Sequence, residues 1–365
     1  MSARNLEVED LTQFQALLAA GESSLSGWHL QSLDLRGVDF SGLSVESAVF
    51  LGCLFDAGVE ASLRARGALL FPVLPGVPFD SYRAKLYTGG ELYQGIGDGY
   101  EATTDGRIYQ WTLTAPRNLD GTLATAMHDH SIGDALDDFL NGELASRGVV
   151  GVMGGHAISR GSGAYAQAAE LAAGIARAGY LLATGGGPGA MEAANLGAWL
   201  SRRSTAELDW ALAKLAEVPD FKPSVSDWVL VAQQVLDRFP DGVQNLGIPT
   251  WFYGHEPPNV FASQIAKYFA NAVREAVLLE RCTGGIVFLP GAAGTVQEIF
   301  QDGCENYYAS AASAASSAPM VLLGRQYWTE QLPVWPLLNT LAEGRAMAAK
   351  ILLADSVAEA VQFLS

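Results

Sequence analysis

Thr295 and Glu298 stand one helical turn apart in Pro290-Gly291-Ala292-Ala293-Gly294-Thr295-Val296-Gln297-Glu298, directly after the apolar run Gly285–Leu289. A β-type run enters a turn of residues with little or no side chain, and a helical pattern leaves it. Backbone N–H groups at such a junction approach an anion closely, and the positive end of the helix points at it. Thr295 adds a hydroxyl and Glu298 a carboxylate. A phosphate binder needs the bare turn, whereas a nucleotide hydrolase uses all of these parts. The same spacing also fits a capping box, in which both side chains only satisfy backbone donors at a helix start.

Two further loops carry similar chemistry. Gly154-Gly155-His156 through Arg160-Gly161-Ser162-Gly163 offers close backbone approach, with Arg160 as a phosphate partner or a solvated cation. Gly185-Gly186-Gly187-Pro188-Gly189-Ala190-Met191-Glu192 sets three glycines after a strand pattern, a conformational cost that suggests a ligand rather than mere connection. Pro188 suits a first helical turn. The run also fits G-x-G-x-x-A, although no acidic residue ends a nearby next strand, so a dinucleotide site is weakly indicated. Arg274, in Ala270-Asn271-Ala272-Val273-Arg274-Glu275, reads either as a solvated or ion-paired helix residue or as part of a site. His128-Asp129-His130 lacks a visible third ligand group, which favours structural histidines over a metal site. His156 and His255 are equally ambiguous.

The elements that must position these loops form a regular text. From Val149 onward, strand patterns (Val149–Met153, Tyr180–Thr184, Ile248–Phe252, Gly285–Leu289, Met320–Leu323, Lys350–Leu353) are interleaved with helical ones. The helical patterns are Tyr165–Ala178, Met191–Leu200, Ser204–Glu217, Asp227–Arg238, a long one over Val260–Glu280, Thr295–Tyr308, Val334–Glu343 and Val357–Leu364. Repeated β–α units predict an α/β fold, a Rossmann-like doubly wound parallel sheet whose ligand sits beyond the carboxyl ends of the strands. The Ala/Ser-rich run 309–318 reads as a surface excursion.

The first half differs. Leu6–Ala20 has the spacing of a short amphipathic helix. Then small or apolar pairs recur every five residues: Trp28/Leu30, Leu33/Leu35, Val38/Phe40, Leu43/Val45, Ala48/Phe50 and Cys53/Phe55. That period fits neither helix nor strand. It resembles the pentapeptide repeat, a square β-helix with the paired positions inward, here too short to bury much core alone. Residues 71–125 are rich in Gly, Pro and Tyr, with a strand expected at Gly106–Trp111 and a helix at Ser131–Leu144. The expected organisation is a helix and repeat-like segment over 1–70, a smaller mixed cap or connecting region over 71–148, and the nucleotide-binding domain over 149–365.

Bulk composition narrows the classes. The net charge of −17 over 365 residues argues against a sequence-independent grip on nucleic acid. No apolar run is long enough to span a bilayer, and the polar, acidic Met1–Asp10 does not read as a signal peptide. Three scattered cysteines (Cys53, Cys282, Cys304) suggest a reducing, cytoplasmic setting without a zinc site.

Taken together, GGGPGAM (Gly185–Met191) and PGAAGTVQE (Pro290–Glu298) resemble the paired signatures of the LOG (Lonely Guy) family, long labelled "lysine decarboxylase-like", over roughly Val149–Leu353. The resemblance implies a phosphoribohydrolase that cleaves a nucleoside 5′-monophosphate into free base and ribose 5-phosphate, without NAD or PLP. It is closer to bacterial nucleotide nucleosidases that carry N-terminal extensions. It implies Gly291, Gly294 and Thr295 around the 5′-phosphate, with Glu298 catalytic at the ribose and Arg274 catalytic from the preceding helix. Gly154, Gly155, Arg160, Gly185, Gly186, Gly187, Gly189 and Met191 complete the expected nucleotide site. The family's M-x-x-R-K context around Arg274 is absent. Ala292 stands where the family has Gly, and its methyl is expected to narrow the phosphate cradle or to forbid a positive φ. The resemblance also implies a homodimer or higher oligomer with helices around Val260–Glu280 near its interface.

Overall fold

The computed structural model describes residues 6–114, 118–142, 148–252, 256–309 and 317–364. His255 and most of the Ala/Ser-rich run lie outside them. The chain forms two compact units, one of Met1–Leu86 with Trp111–Asp137, the other of Tyr87–Gln110 with Asp138–Ser365. Residues 71–148, expected as one connecting region, thus divide between the two.

The first part of the chain holds β1 (Leu6–Val8), α1 (Leu11–Ala19), β2 (Trp28–Gln31), β3 (Val49–Leu51), α2 (Val59–Ala65) and β4 (Leu69–Phe71), followed by α3 (Gly89–Leu92), α4 (Thr104–Thr114) and α5 (Leu119–Asn141). Strands β1–β4 stack in order as a parallel sheet. The register sets His29 beside Val49 and Val49 beside Leu69, so one turn takes twenty residues, or four sides of five. Leu25, Leu30, Leu35, Phe40, Val45 and Phe50 are all buried, one at each five-residue step. The rings of Phe40, Phe50 and Phe55 pack within 6.1 Å of one another along this interior. The amphipathic N-terminal segment is divided: Leu6–Val8 pairs as a strand with β2, and only Leu11–Ala19 is helical.

Gly106–Trp111 is helical, not a strand. The Thr103 hydroxyl accepts from Gly106 N–H (3.0 Å) at the helix start, and a Cβ on Gly106 would lie 2.1 Å from the Tyr100 carbonyl oxygen. The glycine therefore serves close backbone approach within α4. Asp105 in the same turn is buried against Lys267 (2.6 Å), a pairing invisible to local periodicity.

The larger unit is a seven-stranded, all-parallel sheet. Its strands are β5 (Val149–Met153), β6 (Leu181–Thr184), β7 (Leu246–Gly247), β8 (Gln264–Ile265), β9 (Gly285–Phe288), β10 (Met320–Leu323) and β11 (Ile351–Ala354). Their order is β11-β10-β9-β5-β6-β7-β8. Connections run outward from β5 to β8, then return to β9 on the other side of β5 and run outward again. The order thus reverses between β5 and β9, where ligands of doubly wound sheets bind. The helices are α6 (Gly163–Arg177), α7 (Ala190–Trp199), α8 (Thr205–Leu215), α9 (Val225–Arg238), α10 (Asn271–Arg281), α11 (Ala293–Tyr308), α12 (Val334–Ala342) and α13 (Val357–Leu364). Helices α6, α7 and α13 pack as one group, and α10, α11 and α12 as another. The central strands are buried at every position, as a sheet covered on both faces requires.

One long helix expected over Val260–Glu280 is instead the short strand β8 and the eleven-residue α10. Asn259 Oδ1 accepts from Phe261 and Ala262 N–H, both 3.1 Å, and Ala266 N–H donates to Gly247 O across the sheet. Residues 260–268 are buried or nearly so throughout, so their apolar run reflects a sheet edge under cover rather than one helical face. The neighbouring strand falls at Leu246–Gly247 rather than Ile248–Phe252.

Candidate active site at the sheet switch point

A cavity of about 740 Å³ opens at the carboxyl ends of β5, β6, β7 and β9. The loops that leave these strands build it, and each has a local reason for its course. After β6, Gly186 and Gly189 adopt φ of +70°. A Cβ on Gly189 would lie 2.5 Å from the Gly155 carbonyl oxygen, so this loop nests against the one after β5 only with glycine there. Behind it lies a buried amide network. Thr184 Oγ1 accepts from Gly186 N–H (2.9 Å), Asn259 Nδ2 donates to Gly187 O (3.1 Å), and Asn195 links Thr184, Asn245 and Asn259. Every member has a partner, which holds the glycine loop in one conformation.

After β9, helix α11 begins at Ala293, with Ala292 as N-cap and no side-chain cap hydrogen bond. Thr295 and Glu298 are therefore not the partners of a capping box. Ala292, Ala293, Gly294 and Thr295, at the N-terminus of α11, all line the cavity. A helix N-terminus left without a side-chain cap is a ready anion site. The Thr295 side chain crosses over Gly291, where a Cβ would meet Oγ1 at 2.2 Å. Tyr327, in a π-helical turn after β10, donates its hydroxyl to Gly291 O (2.6 Å) and pins the loop from the other side. Ala292 takes φ −103° and is exposed, so no positive φ is forbidden there.

Glu298 and Arg274 meet at the cavity wall. Glu298 Oε1 lies 3.5 Å from Arg274 Nη1, with both side chains at most 14% exposed. Burial raises the Glu298 carboxyl to about 7; Arg274 opposes the rise, and the Glu275 carboxylate reinforces it. Arg274 is held by Asn271, whose Oδ1 accepts from Nη2 at 3.0 Å, and by Glu275 at 3.8 Å. Glu275 in turn accepts from Asn271 Nδ2 (2.7 Å) and Gln297 Nε2 (2.6 Å), which ties α10 to α11. The Arg274 Nε is buried and has no hydrogen-bond partner among the described residues. A partly occupied guanidinium beside a carboxylate poised near neutrality suits chemistry in which charge develops on a bound molecule.

Of the residues expected at the site, Gly154, Gly155, Gly185, Gly187, Met191, Arg274, Gly291, Gly294, Thr295 and Glu298 line this one cavity. Gly186 and Gly189 shape the loop without lining it. Arg160 is a correction. Its side chain is buried, its Nε donates to Glu192 Oε2 (2.9 Å), its Nη2 pairs with Glu192 Oε1, and its Nη1 donates to the Val218 and Trp228 carbonyls. The guanidinium also stacks 4.6 Å over the Trp228 ring. With these donors committed inside the protein, Arg160 clamps the loop after β5 rather than greeting a ligand.

Sequence reasoning gave no site role to Glu256, Glu275, Gln297 and Tyr327, all of which line the cavity. The i, i+4 spacing of Asn271 and Glu275 was a readable signal; the other contacts arise between distant segments. His128, by contrast, belongs to the smaller unit, where it is buried with its ring 5.3 Å from that of Phe79 and Nδ1 3.3 Å from Asp129. No described helix is long and apolar enough to cross a membrane.

No family model matches the chain, and no curated protein matches it either. Among solved structures it is similar to the molybdenum cofactor binding protein of the phototrophic bacterium Rippkaea orientalis, at 18% identity and a TM-score of 0.35, over 60% of this chain and 95% of that one. It is similar also to the molybdenum cofactor carrier protein of Chlamydomonas reinhardtii, at 18% identity and a TM-score of 0.35, over 60% of this chain and 98% of that one. The likeness is partial and low in identity.

Proposed function

We propose that the chain hydrolyses the N-glycosidic bond of a nucleoside 5′-monophosphate, releasing a free base and ribose 5-phosphate. The observation that carries this reading is the Arg274–Glu298 pair, 3.5 Å apart beside an uncapped helix N-terminus in a single cavity. The phosphate would sit on the first N–H groups of α11 and the Thr295 hydroxyl, where it supplies remote binding energy for positioning. As the C1′–N bond breaks, positive charge develops on C1′ and O4′. The Glu298 carboxylate would stabilise that charge and orient the attacking water, whose oxygen bonds to C1′. One water proton goes to the departing nitrogen, and the other stays on the new C1′ hydroxyl of ribose 5-phosphate. Arg274, which lines the cavity beside Glu298, would steady the leaving base or the phosphate.

The test is incubation of the purified chain with a panel of nucleoside 5′-monophosphates and chromatography for free base. Base release by the wild type, abolished in a folded Glu298→Gln variant, supports the reading. Undiminished turnover in that variant overturns it. Binding by calorimetry without any product would instead identify a nucleotide sensor built on the same loops.

A further inference from the structure

Resting on that assignment of the cavity, we propose that Glu256, steadied by His156, reads the base, and that the substrate class is adenine and cytosine nucleotides, whose base carries an amino group where hypoxanthine and uracil carry a carbonyl. The two ends of the cavity differ in chemistry. At the β9 end lie the small-residue loop and the N-terminus of α11, with N–H groups for an anion. At the β6–β7 end lie Glu256 and His156, with Glu256 Oε1 3.4 Å from His156 Nδ1. The other carboxylate oxygen faces the glycine loop: an added Cβ on Gly187 would lie 3.5 Å from Oε2. Strands β9 and β6 flank β5, so their ends are separated by two strand spacings, about 10 Å. That is the reach of one nucleotide from its phosphate to the far edge of its base. Arg274 and Glu298 lie between the two ends, Arg274 Nη1 being 3.7 Å from where a Cβ on Gly185 would stand.

An ionised carboxylate only accepts hydrogen bonds. With Oε1 engaged by His156, Oε2 remains to accept one N–H from a base. Adenine and cytosine present an amino group there. Uracil and hypoxanthine present a carbonyl oxygen at the matching position, which would face the carboxylate lone pairs and be repelled. His156 is half-exposed at 56% and Glu256 is 32% exposed, so both are open to a ligand while each restrains the other. A single charge-assisted hydrogen bond gained against a repulsion predicts a preference of about tenfold to a hundredfold.

The experiment compares matched pairs, AMP against IMP and CMP against UMP, with the full chain and with Glu256→Gln. The expected result is a kcat/KM ratio of at least tenfold for the amino-bearing member, which Glu256→Gln brings close to one because an amide both donates and accepts. The same pairs are titrated calorimetrically, so that recognition is read without turnover. Base release with equal preference in the wild type, or a preference that persists in Glu256→Gln, overturns the role of Glu256 and leaves the hydrolase reading standing. Absence of base release together with an amino preference in Kd that Glu256→Gln removes overturns hydrolysis and supports the base reader. A chain that binds neither member of either pair overturns both.

Discussion

Replacing Glu298 by Gln is expected to stabilise the fold at alkaline pH while removing catalysis. The folded chain holds the Glu298 carboxyl near 7, against an ordinary value of 4.5, chiefly because its side chain is only 14% exposed. Unfolded chain releases this proton around 4.5, whereas folded chain keeps it to about 7. Between those values the native state binds more protons, so stability is fully present below the unfolded value and falls as pH rises through the folded one. At about 1.4 kcal/mol per pH unit, the interval is worth about 3 kcal/mol. Gln does not titrate. All other ionisable groups are shared by the two proteins and largely cancel. The stability of Glu298→Gln relative to wild type is therefore expected to be near zero at pH 4.5 and to rise by about 3 kcal/mol by pH 8. Urea unfolding of both proteins at pH 5, 6, 7 and 8 measures this directly. A constant offset across pH, or a variant that loses ground as pH rises, would show that burial does not strain this carboxylate. A residue whose removal strengthens the fold is what a site selected for chemistry leads one to expect.

Because the carboxylate form is the one that stabilises a developing cation, kcat/KM is expected to climb with pH through about 7 and level off above it. A profile from pH 5.5 to 8.5 that is flat or falling would contradict that role. Gly294 has nothing within 4 Å of where a Cβ would stand, and it lies in the first turn of α11. Gly294→Ala is thus expected to leave the fold as stable or up to about 1 kcal/mol more stable, yet to weaken phosphate-ligand binding by crowding the N–H groups. A variant that binds nucleotide as wild type does would remove Gly294 from the cradle. Arg160→Ala should destabilise the larger unit by about 3–5 kcal/mol, because it leaves the buried Glu192 unpaired. A loss under 1 kcal/mol in chemical unfolding would show that the pair is not structural.

The β–α alternation from Val149 onward was readable because each central strand is buried on both faces and a helix such as α9 buries one apolar stripe. Val149–Met153 and Met320–Leu323 fall on the expected residues. Legibility failed where side-chain caps and contacts with distant segments overrode local spacing. Residues 260–270 have an apolar density that suits a helix, but Asn259 and the β7 edge capture their backbone groups. Gly106–Trp111 has an alternation that suits a strand, but the Thr103 cap and the buried Asp105–Lys267 pair make it helical.

The same division runs through the site. Glycine runs after strands, a Thr and a Glu one turn apart, and an Arg on the preceding helix are local features, and their spacing alone assigns them to strand ends of one α/β sheet. Which of two chemically equal candidates reaches the cavity was decided only by tertiary structure. Arg160 and Arg274 each sit in a loop or helix beside the site. Arg160 meets Glu192, Val218 and Trp228 inside the protein, while Arg274 lines the cavity, faces Glu298 and has an Nε with no hydrogen-bond partner among the described residues. An arginine's role depends on which acceptors its long side chain finds across the fold. Those acceptors come from segments up to 68 residues away in the chain, which no local spacing encodes.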